Sequence, residues 1–342
     1  VEQEGTGNAS DVNQSGTNNL ATVFQQADDG TAIIIQSGDL QDADIQQADN
    51  GNSAGIDQSN SGNTGAVLQT GTESLATITQ SGVDDLAPVT QTGFDNDADV
   101  LQDGDTNTAI VSQTDDESLA VVEQGPGLLN GANIQQISGE GNESTIVQGD
   151  STAFGGTETN AVLAFALSTQ DGDFLGSTIV QSGVGQAAFV DQIGSDNISE
   201  VFQGNLGGDN NTAFISQTGT GLGLSTSQIL QDGNNNTANL VQGGGELNVN
   251  FIEQGLDGDD NLADVTQDGS ENESDVLQNV FSVGGDNTAT ILQEGIGNVS
   301  LVEQDGDLNT ANVSQFDGSA SSVFQDGTGN TATVTQGAPA AP

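Results

Sequence analysis

The chain has 342 residues, 50 carboxylates and no Lys, Arg or His, for a formal net charge of −50. This balance excludes nucleic acid and anionic membranes as direct electrostatic partners and leaves no side chains of opposite charge to form salt bridges. Without His, Lys or Cys the usual nucleophile–base pairs are missing, so no enzyme activity is expected, and no disulfide framework exists.

Read in order, the chain is a series of rows, each closing on a glutamine. Rows end at Gln3, Gln14, Gln25, Gln36, Gln47 and Gln58, then without a slip at Gln69, Gln80, Gln91, Gln102, Gln113 and Gln124. In that regular stretch Ala76, Ala87, Ala98, Ala109 or Ala120 stands four places before the glutamine, and Ile78, Val89, Val100, Val111 or Val122 two before. Gly71, Gly82, Gly93 and Gly104 follow it by two, so the unit reads Asn-x-Ala-x-Val-x-Gln-x-Gly-x-x. Gln136 and Gln148 come at a spacing of twelve. Residues 149–169 break the register and are read as one row carrying a long inserted loop. Regularity returns at Gln170, Gln181, Gln192 and Gln203, and then loosens through Gln217, Gln231, Gln242, Gln254, Gln267, Gln278 and Gln293. Gln304, Gln315, Gln325 and Gln336 close the series at 29 rows. Residues 1–336 therefore form one repeat array, and the Ala/Pro-rich residues 337–342 a disordered tail. Val1 falls in mid-pattern, as it would in a processed mature chain.

Alternation with period two sends Asn, Ala, Val and Gln of each row to one side of a strand, and the Gly-, Asp- and Thr-rich remainder makes a turn in which glycine supplies positive φ. Two rows give one coil of about 22 residues, and a fixed period stacks equivalent residues on one another. The fold class is all-β: a β-solenoid of about fourteen two-strand coils with amyloid-like cross-β stacking about 4.8 Å apart. The inward amides explain the repetition. A buried amide without partners costs roughly 1–3 kcal/mol, but amides stacked in register satisfy one another. Gln69, Gln80, Gln91, Gln102, Gln113 and Gln124, with Asn96 and Asn107, are the expected structural ladder. Fifty carboxylates spread over such an array repel within a Debye length of about 8 Å, so the fold should favour high salt or divalent cations.

At this point the sequence resembles the curlin repeat proteins, the major subunits of curli-type functional amyloid fibres. The curlin unit is Ser-x5-Gln-x-Gly-x-x-Asn-x-Ala-x3-Gln. Ser118 to Gln124 supplies its first part. Gln102, Gly104, Asn107, Ala109 and Gln113 supply the rest, as do Gln325, Gly327, Asn330, Ala332 and Gln336. The resemblance implies a secreted, extracellular subunit that stacks end to end into fibres of a biofilm matrix and promotes adhesion. Here the repeats are more numerous than in a typical curlin, Asn often occupies both half-repeats, and basic and Tyr residues are missing. The array begins at Val1 without a capping helix or charged plug, so its end strands are expected to pair between subunits in a head-to-tail homopolymer.

Two further features invite chemistry. Asp-Gly-Asp turns at Asp103 and Asp105, Asp171 and Asp173, Asp257 and Asp259, and Asp305 and Asp307 offer oxygen ligands suited to Ca²⁺. The spacing is neither a calcium nonapeptide nor an EF-hand loop, and diffuse association of Ca²⁺ or other cations is the alternative; no cofactor is required. On even-numbered rows the outward positions are often apolar, as at Ile33, Ile35, Leu101, Val147, Val180, Phe202, Leu230, Leu277 and Phe324. They are expected to line one face as a lateral contact for fibre bundling, against the alternative of scattered residues of high β propensity. A monomeric, acidic, cation-stabilised adhesin rod or an ice-binding module is the competing function. Ice binding would want a regular Thr-x-Thr array, which Thr77 with Thr79 and Thr333 with Thr335 satisfy while most rows do not.

Overall fold

Every row forms a strand. In the computed structural model each of the 29 glutamines lies in its own β-strand, and no helix occurs among the described residues, which are 1–149, 161–204, 208–219, 224–255, 258–280 and 284–337. The architecture is a β-solenoid of two-strand coils, about fourteen in all. Gly337 apart, the tail expected at 337–342 lies outside the described residues, as does most of the insertion expected at 149–169.

The chain divides into two units, Val1–Asp150 with Thr159–Phe174, and Ser151–Glu158 with Leu175–Pro342. Within the first, odd-numbered rows from Gln3 to Gln170 form one parallel sheet and even-numbered rows from Gln14 to Gln148 the other. Within the second, the odd sheet runs from Gln192 to Gln336 and the even sheet from Gln181 to Gln325. Consecutive rows thus alternate between two sheets, and each strand pairs with the row one coil away. Ala98 aligns with Ala76 and Ala120, Val100 with Ile78 and Val122, Gln102 with Gln80 and Gln124. Register survives the break, since Gln136 aligns with Gln170 and Ala132 with Ala166. Pro88 sits in an interior strand, and its missing N–H interrupts the pairing of Leu86–Gln91 with Thr108–Gln113 between Leu86 and Val89.

The core lies between the sheets and is one side chain deep from each. Ala98, Val100 and Gln102 are fully buried, and so are Ala120, Val122 and Gln124. As expected, glycine two places after the row glutamine has positive φ in many turns, as at Gly16, Gly38, Gly104 and Gly194. In the regular turns positive φ also falls on Glu73, Asp84, Asp95, Thr106 and Glu117, each just ahead of the inward Asn position. Gly71, Gly82 and Gly93 have no positive φ. Their need for glycine is steric: a Cβ on Gly82 would collide with the Gly104 carbonyl of the next coil.

Candidate functional site: stacked amides and open strands

Within each unit the glutamine columns form continuous hydrogen-bonded ladders. In the first unit Gln69 Nε2 donates to Gln91 Oε1 at 2.8 Å, and Gln91 to Gln113 at 2.9 Å. On the even sheet Gln80 donates to Gln102 and Gln102 to Gln124, each at 2.8 Å. Gln113 and Gln124 continue to Gln136 and Gln148. Each Nε2 also reaches backbone. Gln91 Nε2 approaches Leu75 O of the opposite sheet at 2.8 Å and Asn96 O at 3.1 Å. One amide therefore ties its own column together and closes the corner onto the facing sheet.

The asparagine columns work by a different geometry from the expected amide-on-amide stack. Ser118 N–H donates to Asn96 Oδ1 at 3.0 Å, and Asn96 Nδ2 donates to Asp115 O at 2.7 Å. Asn130 N–H donates to Asn107 Oδ1 at 3.1 Å, while Asn107 Nδ2 has no partner. Asparagine sits where the turn re-enters the strand, and its shorter side chain bonds to turn backbone more readily than to the next amide. Side-chain pairs do occur, as from Asn298 Nδ2 to Asn272 Oδ1 at 3.0 Å. Serine can replace the acceptor half of this role: Asn142 N–H donates to Ser118 Oγ at 3.2 Å.

Two buried carboxylates interrupt this pattern. Asp85 stands in the asparagine slot six places before Gln91 and is 1% exposed. Its N–H donates to Asn63 Oδ1 and its Oδ1 accepts Asn107 N–H at 2.8 Å. Its Oδ2 has no partner. In the row one coil earlier, Asn63 Nδ2 occupies this place and donates to Ser59 O and Gly82 O. Where asparagine has a donor, Asp85 has a second acceptor, and a Cβ on Gly82 would meet both Asp85 Oδ2 and Gly104 O. Burial pushes the Asp85 carboxyl up to about 6; the Asn107 N–H opposes the shift, and Asp105, Asp103 and Asp84 add to it. Asp115 occupies a glycine position, where Ser118 Oγ and Asn142 Nδ2 donate to its Oδ2 at 2.6 and 2.8 Å. Burial raises its pKa despite these bonds. Both departures are visible in the repeat register, as an acid where Asn or Gly belongs.

The Asp-Gly-Asp turns are not gathered into metal clusters among the described residues. Their carboxylates bond to the preceding coil instead. Asp103 accepts Ser81 Oγ at 3.2 Å, Asp171 accepts Ser138 Oγ, and Asp173 accepts Glu140 N–H at 3.2 Å. Asp259 accepts Asn234 N–H at 2.9 Å and Asp307 accepts Gly285 N–H at 3.1 Å. Asp105 and Asp305 lie on the same turns as Asp103 and Asp307, Asp105 exposed and Asp305 half-buried; Asp257 lies outside the described residues. A turn carboxylate that caps an N–H of the neighbouring coil helps to align the coils.

The apolar stripe needs correction. Ile33, Ile35, Leu101 and Phe324 are exposed, and Phe202, Leu230 and Leu277 are half-buried on the outer side of even rows. Val147 and Val180 are buried, at 3% and 0% exposure. Alternation along a strand sets the direction in which a side chain leaves the sheet, but not what other chain lies over it. The even face is also acidic: Asp97, Asp99, Glu123 and Glu143 stand at its outward positions. Burial, with Asp99 and Asp95 nearby, raises the pKa of Asp97.

Among the described residues, Glu2–Gln3 and Ala9–Thr17 have a neighbour on one side only, and Gln3 and Gln14 are exposed. In the second unit Ala320–Thr328 and Thr331–Gln336 are likewise edge strands, with Val334 and Gln336 half-exposed. In both units the ladder runs the same way along the chain. Gln3 and Gln14 donate forward to Gln25 and Gln36, while Gln304 and Gln315 donate forward to Gln325 and Gln336.

A family model, the curlin associated repeat, matches residues 83–125, 258–282 and 284–316. No curated protein matches the chain. The matched segments fall on repeat rows of both units.

Proposed function

We propose that this chain, which matches the curlin associated repeat in three segments, is the structural subunit of an extracellular, curli-like amyloid fibre that assembles end to end for biofilm matrix or adhesion. The observation that carries this reading is the direction of the glutamine ladders. Within each unit every link runs from Nε2 of one row to Oε1 of the row one coil later. The first open strands therefore present glutamine Oε1 acceptors, and the last present Nε2 donors. A second copy placed head to tail continues both columns with the bond already used inside each unit, and it pairs the open strand edges at the same time. No catalytic group is needed, and cations would act by screening the acidic turns.

Electron microscopy of the purified chain in salt-rich buffer, followed over time at several concentrations, tests this. Long uniform filaments with a layer repeat of about 4.8 Å are expected. Discrete particles that never elongate would overturn the fibre and favour a monomeric, cation-stabilised adhesin rod.

A further inference from the structure

The outward positions of the two sheets differ in charge in a way that bears on how fibres meet. In the first unit, five consecutive odd-sheet strands are Thr64–Gln69, Leu86–Gln91, Thr108–Gln113, Gly131–Ser138 and Phe165–Asp173. From their first residue to the row glutamine, none of their outward residues is charged, and all are exposed or half-buried. They are threonine, serine, amide and apolar side chains, among them Leu68, Leu86, Ile110 and Phe165, each about 40% exposed. The rows of the even sheet in the same stretch carry four carboxylates outward. On a chain of net charge −50, an uncharged surface five strands wide is the exception.

Building on the fibre reading, we propose that this odd-sheet face of the first unit is the lateral contact between fibres, and that its occupant is the same face of a second copy. Two sheets pack face to face about 10 Å apart. At that separation carboxylates on opposing even faces would lie within about a Debye length of one another, whereas the odd faces bring no charge together. The even face is also the one on which Val147 is already covered. Area sets the regime. Five strands about 4.8 Å apart and about 17 Å long offer on the order of 400 Å² per copy, so a pair buries roughly 800 Å², below the 1,200 Å² or so of a stable interface. Single chains should not stay paired through this face. Fibres that present it repeatedly should, because each contact raises the effective concentration of the next.

The test is a matched pair of double variants. Leu68→Asp with Ile110→Asp charges the odd face on two strands two coils apart, so the new acids do not stack on each other. Thr79→Asp with Val121→Asp adds two acids two coils apart on the even face, there beside Asp57 and Asp99 of the neighbouring strands. The parent and the even-face variant should form bundled filaments in the same salt, and the odd-face variant filaments that remain single, with bundling reduced at least tenfold. Odd-face filaments that bundle like the parent, or even-face filaments that stop bundling, would overturn the assignment. Because the chain has no cysteine, single substitutions Ile110→Cys and Thr79→Cys give a readout that does not need filaments. Ile110 lies in the middle strand of the five, so a two-fold pairing sets the two thiols against each other. Oxidation traps even a brief encounter, and Ile110→Cys should give at least fivefold more cross-linked dimer than Thr79→Cys. Equal yields would sink the face. Absence of filaments in every chain would break the fibre reading, while the cross-linking would still decide which face meets.

Discussion

In the stretch from Gln69 to Gln124, glutamines joined in one column stand 22 residues apart, and Gln69 reaches Gln91 at 2.8 Å. In the second unit Gln203 and Gln231 stand 28 residues apart and are joined at the same 2.8 Å. The added residues fall between strands, and the column is untouched. Register therefore resides in the inward amides, and turn length is free to vary around them. The two regions differ in how the amides are supported. Gln91 Nε2 has Leu75 O and Asn96 O at 2.8 and 3.1 Å. Around Gln217 the corresponding carbonyls of Ile198 and Ser225 lie at 3.4 Å, and Ser227 Oγ steps in at 3.0 Å. Ser227 stands where the regular rows have alanine. At Gln217 the backbone grip on the amide is looser, and a core hydroxyl adds a partner.

Breaking a ladder in the regular region should have the largest effect. Gln91→Leu removes the acceptor of Gln69 Nε2, the donor to Gln113 Oε1 and the tie to Leu75 O. With Gln113 Oε1 then buried without its donor, the expected loss is about 3 kcal/mol. Because a solenoid opens locally, native-state hydrogen exchange is the suitable measurement. Protection in Leu86–Gln91 and its two paired strands should fall by about two orders of magnitude. A loss no larger than tenfold would mean that strand pairing, and not the amide column, holds the coil.

Asp85 is the natural flaw in the same region, and correcting it should be the next largest effect. Its folded pKa of about 6 lies above the ordinary carboxylate value of 3.8, so the fold favours the protonated form. Stability from this group is fully present below pH 4 and is lost as pH rises through 6. Asp85→Asn restores the donor facing Gly104 O and removes that loss. The variant should be more stable than the parent at pH 7, by on the order of 2 kcal/mol, and the gap should close by pH 4. Paired denaturation curves at the two pH values check this, since the remaining carboxylates titrate alike in both chains. A gap independent of pH would show that the fold does not favour the protonated carboxyl, and the absence of a gap at pH 7 that its orphan oxygen is harmless.

What could be read from residues alone follows the same division. Row number, strand register and the inward set were legible because a strict period projects directly onto stacking: Ala98, Val100 and Gln102 had no other face to occupy. The strand that carries Gln170 aligns with that of Gln136 although 34 residues separate them, because the amide needs its partner whatever lies between. Properties that depend on contacts between rows were less legible. Glycine at position 82 suggested positive φ, whereas the constraint is the carbonyl of the next coil. Alternation placed Val147 and Val180 outward but carried no information on what covers them. The apolar stripe drew attention to even rows, although Leu86 and Ile110 lie on odd strands that are comparably apolar and, from Thr64 to Gln170, carry no acid outward; charge at outward positions had to be counted on both faces to see it. Asp85 was readable in principle, since an acid six places before Gln91 breaks the amide column, but the meaning of the break required the facing carbonyls.

The smallest effect should come from making the regular region imitate the loose one. Inserting Gly-Ser between Asp105 and Thr106 lengthens one turn by two residues, as the second unit does repeatedly. It should disturb turn bonds such as Thr106 N–H to Val83 O and Asp105 N–H to Gly127 O, while Gln102 keeps its links to Gln80 and Gln124. Loop closure grows only slowly with length, so the expected loss is about 1 kcal/mol or less, read as at most a fivefold drop in exchange protection of Asp97–Gln102. A loss as large as that of Gln91→Leu would relocate the register signal from the amides to the turns. The long spacings of the second unit would then be a burden offset by contacts such as Ser227 Oγ, and not a freedom that the ladder permits.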